Sequence, residues 1–129
     1  MNLKLNEAAN EIHQAAKEKG FWDNPRETGT LLMLCVSELA EAMEADRKDR
    51  FAYLDDDMRE DLDDPKDTSP RYCIRAFENQ IKDTFEDELA DTVIRILDLC
   101  GARGIDLEWH IEQKLKYNKT RDRMHGKRY

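Results

Sequence analysis

Apolar residues recur at helical spacing along most of this chain. Leu5, Ala8, Ala9, Ile12, Ala15 and Ala16 fall on one stripe, which predicts a first helix from Leu3 to Lys19, ended by Gly20. Phe21 and Trp22 follow in a connector. Asn24-Pro25-Arg26-Glu27 reads as a helix start: Asn24 as N-cap, Pro25 in the first position, Glu27 where a capping-box acid belongs. Leu31, Leu34, Cys35, Leu39, Ala42 and Met43 carry that second helix to Lys48. Ser69-Pro70 repeats the cap-then-proline signal and opens a third helix to Cys100, closed by Gly101 and Gly104. At roughly 30 residues it would measure about 45 Å. Asp106 caps a fourth helix that reaches Thr120. No strand alternation, hairpin, glycine-rich phosphate loop or solenoid repeat interrupts this reading. The expectation is all-α: a four-helix-type bundle.

Residues 49–69 break the pattern. Seven Asp/Glu lie between Asp55 and Asp64, and Pro65 follows. Self-repulsion predicts an acidic loop between helices 2 and 3, with at most a short helix in it, serving as a lid or as a plain insertion. With 129 residues the chain fits one domain, 1–129, and only five Gly and three Pro argue against a turn-rich β sandwich. Mean hydropathy is −0.88 and no apolar run approaches a membrane span. The start lacks the apolar region of a signal peptide, so a cytoplasmic protein with no membrane association is expected.

Net charge is −8, which disfavours binding of a nucleic acid polymer. The charge is unevenly spread. Residues 114–129 carry a net +6 and the remaining 113 residues −14, so residues 121–129 form a basic C-terminal tail on an acidic body. Cys35, Cys73 and Cys100 are odd in number, widely spaced and without a CxxC, which argues against disulfides, a zinc site or a thiol nucleophile. Cys35 and Cys100 read as small core residues.

Two acidic motifs stand out, Glu38-Leu39-Ala40-Glu41 and Glu88-Leu89-Ala90-Asp91. Acids three apart share a helix face. Leu31, Leu34, Ala42 and Ala45 lie within ~40° of Glu38 on the helical wheel, and Ile74, Phe77, Ile81 and Leu99 lie equally near Glu88. Both pairs therefore interrupt an apolar stripe. Carboxylates pointing inward repel one another and resist desolvation, and a divalent cation resolves this. An oxygen-only set suits Mg²⁺ or Mn²⁺ rather than zinc. The bland alternative is two wet acid pairs at the edge of a stripe. A di-iron bundle needs Glu-x-x-His, and none of His13, His110 and His125 stands three after a Glu.

Lys114, Asn118 and Arg121 share a face of the fourth helix and continue the line of Leu107 and Ile111. Such a face can hold phosphate oxygens, or it can be a basic helix end favoured by the dipole. The third helix has a wide apolar surface, extended by Leu89, Val93, Ile96, Leu97 and Cys100, which predicts a homo-oligomer.

The stretches GFWDNP, SELAEAMEADRK, FEDELADTVIRILDLCGARGIDLEWHIEQKLKYNKTR and HGKRY together resemble the MazG-like nucleoside triphosphate pyrophosphohydrolases of the all-α NTP pyrophosphatase superfamily. The family's ExxE and ExxD map onto Glu38, Glu41, Glu88 and Asp91, and its K-x-x-x-N-x-x-R onto Lys114, Asn118 and Arg121. The resemblance implies Mg²⁺-dependent hydrolysis of an NTP or dNTP to a monophosphate and pyrophosphate, in a homodimer or homotetramer. The 46 residues between the two acid motifs exceed the family's usual spacing, and the acidic loop accounts for the excess. On this reading Glu41 is the base that activates water, and Phe21 or Trp22 stacks on the nucleobase. An all-α dUTPase or a phosphoribosyl-ATP pyrophosphohydrolase is the nearest alternative. A non-enzymatic helical dimerisation module is the alternative from another class.

Overall fold

A computed structural model describes residues 3–64 and 69–126 of the chain. It has six α-helices: α1 Leu5–Glu18, α2 Thr28–Arg47, α3 Asp56–Asp63, α4 Pro70–Gln80, α5 Phe85–Arg103 and α6 Leu107–Lys119. A 3₁₀ turn follows at Arg123–Gly126, within the expected basic tail. The described residues contain no strand, and no described helix is long and apolar enough to cross a membrane. The chain is all-α.

Several helix ends follow local chemistry. Ser69 caps α4 by accepting the Tyr72 N–H, with Pro70 in the first position. Asp106 caps α6 by accepting the Trp109 N–H. The acidic segment contains α3, capped by Asp55 on the Met58 N–H. The Tyr72 hydroxyl donates to Asp61 at 3.4 Å and ties α3 to α4. Residues 65–68 of that segment and 127–129 of the tail lie outside the described residues.

Two expectations are corrected. The second helix starts at Thr28 with Glu27 as N-cap, not at Pro25 behind Asn24. In the connector before it, a local contact places the Arg26 guanidinium 5.4 Å above the ring of Trp22, four residues back. The single third helix of roughly 30 residues is two helices. Lys82 N–H bonds back to the Phe77 carbonyl, Asp83 takes a left-handed φ of 64°, and the Thr84 hydroxyl donates to the Ile81 carbonyl at 2.6 Å. Thr84 then restarts the chain as α5. Its hydroxyl accepts the Asp87 N–H, and the Asp87 carboxylate accepts the Asp83 N–H at 2.9 Å. This is a variant of the capping box in Thr84-Phe85-Glu86-Asp87, with the acid reaching the N–H one residue before the cap while the Thr84 N–H bonds the Ile81 carbonyl. The break ends the wheel register that placed Ile74 and Phe77 on the face of Glu88; both are exposed. The 19 residues of α5 run past Gly101, and Gly104, at φ +62°, closes the helix.

The chain forms two compact units. The first comprises Met1–Arg26 with Ile96–Tyr129. Its core is Ala9, Leu97 and Cys100, with Leu5, Ala8, Ile12 and Leu107 packed on it. Gly101 allows the close approach of α1: a Cβ there would stand 2.5 Å from the Ala9 carbonyl oxygen and 2.7 Å from the His13 Cβ. Asn6 joins the starts of α1 and α6, donating its backbone N–H to Glu108 Oε1 and its side-chain amide to Asp106 Oδ1, both at 2.8 Å.

The second unit is Glu27–Arg95. It buries Cys35, Ala42, Ala45 and Ala76, and among them the polar Glu38, Thr84, Glu88 and Thr92. Small residues dominate this core, while Leu32, Met33, Val36, Leu39, Met43, Leu89 and Val93 are exposed.

Candidate metal centre

Glu38 and Glu41 lie one turn apart on α2, and Glu88 and Asp91 one turn apart on α5, all in the second unit. Glu38 is 8% exposed and Glu88 4% exposed, although both are carboxylates. One oxygen from each of Glu38, Glu88 and Asp91 lies within 4.8 Å of the others. Glu41 is more exposed and stands outside that trio, one turn from Glu38, and its carboxylate influences both Glu38 and Glu88. The interrupted stripes read from the sequence thus meet in one acidic cluster.

The electrostatics divide these acids. Burial pushes the Glu88 carboxyl from 4.5 up to about 8, and hydrogen bonds to Glu38 and Glu41 add to the push by favouring its protonated form. Glu38 goes the other way. Burial raises it, but the Arg95 guanidinium and the protons shared with Glu88 and Glu41 outweigh that and hold it below the ordinary value. Arg95 Nε donates to Glu38 Oε1 at 2.8 Å. Asp91 is raised by burial and then by Asp87 and Glu38. Without a metal, then, the cluster is balanced by one arginine and by protons.

Glu88 Oε2 is buried and has no hydrogen-bond partner. Leaving a buried acceptor unpaired is costly, and this atom keeps its lone pairs free for a ligand. Oxygen donors alone, from several carboxylates, fit a hard divalent cation. Asp83, Asp87 and Glu88 form a second close acid group that shares Glu88 with the first. A cleft of about 320 Å³ opens beside the cluster, lined by Glu41, Glu44, Ala45, Lys48, Arg50, Asp83 and Glu88.

No protein-family model, curated protein or solved structure matches the chain.

The other sequence candidates lie in the first unit. Lys114 Nζ sits 5.2 Å and Arg121 Cζ 5.7 Å from the Tyr117 ring, so the two cations bracket one aromatic. Asn118, between them in sequence, has a buried side-chain oxygen without a partner. Trp22 is fixed rather than loose. Its indole N–H donates to both oxygens of Asp98, at 3.0 and 3.1 Å. His13 Nδ1 lies 2.8 Å from the same carboxylate, and the two rings meet edge to face at 5.0 Å. Phe21 is exposed. Cys35 and Cys100 are buried, and burial pushes the Cys100 thiol up, away from nucleophilic use.

Sequence reasoning missed Arg95, Tyr117, Asp98 and His13. Arg95 carried a signal, because it follows Asp91 by four and so shares its helix face. Asp98 and His13 are 85 residues apart, and no spacing rule joins them.

Proposed function

We propose that this chain is a Mg²⁺-dependent nucleoside triphosphate pyrophosphohydrolase, acting on an NTP or dNTP to give a monophosphate and pyrophosphate. The observation that carries the reading is the unpartnered, buried Glu88 Oε2 within a cluster of inward carboxylates. Glu38, Glu41, Glu88 and Asp91 would hold Mg²⁺, with Mn²⁺ as the alternative hard ion, and the ion supplies Lewis-acid polarisation of a phosphoryl oxygen. Glu41, exposed on the cleft, accepts the proton of the attacking water. The water oxygen forms the new bond to phosphorus, the α–β anhydride bond breaks, and pyrophosphate leaves. The sequence resemblance assigns phosphate binding to Lys114 and Arg121 and orientation of the phosphate chain to Asn118, all three in the first unit. The same resemblance assigns the nucleobase to Trp22, whose N–H is held by Asp98 within the first unit.

In this reading the helices form a bundle completed by a second copy of the chain, as a homodimer or homotetramer. The exposed Leu32, Met33, Val36, Leu39, Met43, Leu89 and Val93 support that assembly, being more apolar surface than an isolated unit ordinarily leaves to water. The same surface favours the second reading, a non-enzymatic dimerisation module, which would not need the acid cluster to bind metal.

The test is a panel of NTPs and dNTPs, with dUTP and phosphoribosyl-ATP included, incubated with Mg²⁺ and resolved by anion-exchange chromatography. Monophosphate plus pyrophosphate is expected. A diphosphate plus orthophosphate overturns the bond assignment, and turnover confined to dUTP or to phosphoribosyl-ATP moves the chain to that related activity. No turnover, with no Mg²⁺ binding, leaves the dimerisation module.

A further inference from the structure

The cleft beside the acid cluster has a basic rim that the proposed reaction has not yet used. Lys48 and Arg50 line it, in the same unit as Glu38, Glu41, Glu88 and Asp91. Their position is built by the end of α2. Lys48 N–H bonds to the Glu44 carbonyl, Asp49 turns into the left-handed region at φ 54°, and Arg50 N–H folds back to the Ala45 carbonyl at 2.9 Å. The Arg50 carbonyl then accepts the Phe85 N–H at 2.9 Å, at the first residue of α5. Ala52 N–H donates to the Glu86 carboxylate, and Phe51 meets Phe85 edge to face at 5.9 Å. The rim is thus fixed to both helices that carry the acids.

We propose that Lys48 and Arg50 grip the phosphate chain of a ligand that occupies this cleft as its divalent-cation complex. The inference rests on the hydrolase reading above and deepens it, by naming the cations that meet the polyphosphate in the unit that carries the acids. Charge decides the form of the ligand. Glu41, Glu44, Asp83 and Glu88 line the same cleft, so acids outnumber the two cations and a bare polyphosphate is repelled. A divalent cation held by the cluster would offset most of that charge at the inner end, leaving Lys48 and Arg50 to meet the phosphate oxygens it does not cover. Glu88 Oε2, buried and unpartnered, is an independent sign that the inner end takes a cation. Lys48 is available for exchange. Its partner is Glu44 at 3.2 Å, an exposed pair one turn along α2, of a kind that contributes little and yields to a phosphate. Arg50 contributes the planar fork that suits two phosphate oxygens at once.

The experiment uses the full chain and inorganic pyrophosphate. Calorimetric titration is run with Mg²⁺ and with chelator, on the wild type and on Lys48→Gln, Arg50→Gln, Arg50→Lys and the double Gln variant. Mn²⁺ affinity without pyrophosphate is measured in parallel by electron paramagnetic resonance. Pyrophosphate should bind only with the metal. Each Gln variant should weaken it roughly tenfold, and Arg50→Lys should recover part of the loss. Mn²⁺ affinity alone should hold or rise, since a nearby positive charge has gone. A double variant that binds magnesium pyrophosphate like the wild type overturns the rim, as does a wild type that fails to bind it. The two readings separate cleanly. Nucleotide turnover that survives unchanged in the double variant sinks the rim and spares the hydrolase. Metal-dependent pyrophosphate binding that needs Lys48 and Arg50, in a chain that turns over no nucleotide, does the reverse.

Discussion

Replacing Glu88 with Gln should stabilise the metal-free protein at alkaline pH and remove its response to Mg²⁺. Glu88 is 4% exposed, and its carboxyl is pushed from 4.5 up to about 8 by burial and by its acidic neighbours. In the unfolded chain that group loses its proton near 4.5, whereas the folded chain keeps it to about 8. Between those values the folded state binds more protons, so stability falls as pH rises through the window and levels off above it. Asp91, also raised, acts in the same sense. Glu38, held low, acts oppositely and at the acid end: its contribution is present above its unfolded value and is lost as pH falls through its folded one.

The gap for Glu88 sets a ceiling of about 5 kcal/mol for holding it ionised in place. An effective dielectric near 20 and relaxation of the cluster reduce the realised cost to about 2–3 kcal/mol. Gln keeps the shape and the donor and abolishes the titration. In thermal melts with chelator, wild type and Glu88→Gln should agree at pH 4, below the unfolded value, and diverge by roughly 6–12 °C at pH 8.5, with the variant higher. Adding Mg²⁺ at a hundred times its dissociation constant should restore ~2.7 kcal/mol to the wild type and almost nothing to the variant. Parallel melting curves of the two proteins from pH 4 to 8.5, or full Mg²⁺ stabilisation of the variant, would refute the reasoning.

Gly101→Ala places a methyl group 2.5 Å from the Ala9 carbonyl oxygen, a rigid neighbour, and should lower stability by about 2–4 kcal/mol in urea titration; an unchanged midpoint would mean that α1 and α5 do not pack this closely. Asp98→Ala strips the acceptor from both the Trp22 indole and the His13 ring, and should cost about 2 kcal/mol and shift Trp22 emission; Trp109 is the other tryptophan, so the comparison is made in a Trp109→Phe background. Arg95→Gln removes the cation 2.8 Å from Glu38 and should destabilise the metal-free protein by about 1–2 kcal/mol while tightening Mn²⁺ binding, since arginine and metal compensate the same carboxylates; weaker Mn²⁺ binding would instead make Arg95 an organiser of the liganded site.

What the sequence made legible was local. Ser69-Pro70 and Asp106 cap their helices as read, because a cap needs only its own next three residues. The acid pairs were legible because an ELAE or ELAD that breaks an apolar stripe is visible on a wheel, and the structure brings Glu38, Glu88 and Asp91 together. The break at Thr84 was hidden because Ile74, Phe77 and Ile81 continue the helical period up to it, although Thr84 and Asp87 carry the capping signal. Gly101 and Gly104 look alike in sequence. Only the second needs a left-handed φ, and the first answers to α1, a partner far away in the chain. The Asp49 turn that sets Lys48 and Arg50 on the cleft had only a weak signal, because the left-handed residue that closes a helix is usually glycine and aspartate takes that place less often.

The break at Thr84 also explains how the acids are tolerated. In a helix running unbroken from Pro70, Glu86, Asp87 and Glu88 would stand in its interior, three successive acids with every backbone N–H already committed. The break makes them the first turn of α5, where the N–H groups are free and the dipole favours negative charge by ~0.3–1 kcal/mol per acid. Two of the three are then spent on backbone: Asp87 accepts the Asp83 N–H and Glu86 the Ala52 N–H. These bonds fix the turn and the α2-to-α5 crossing that carries Lys48 and Arg50. Glu88, one residue on, is turned inward and keeps an oxygen without a partner. The same turn that relieves the repulsion of the acids therefore selects one of them for the cluster and holds the basic rim beside it.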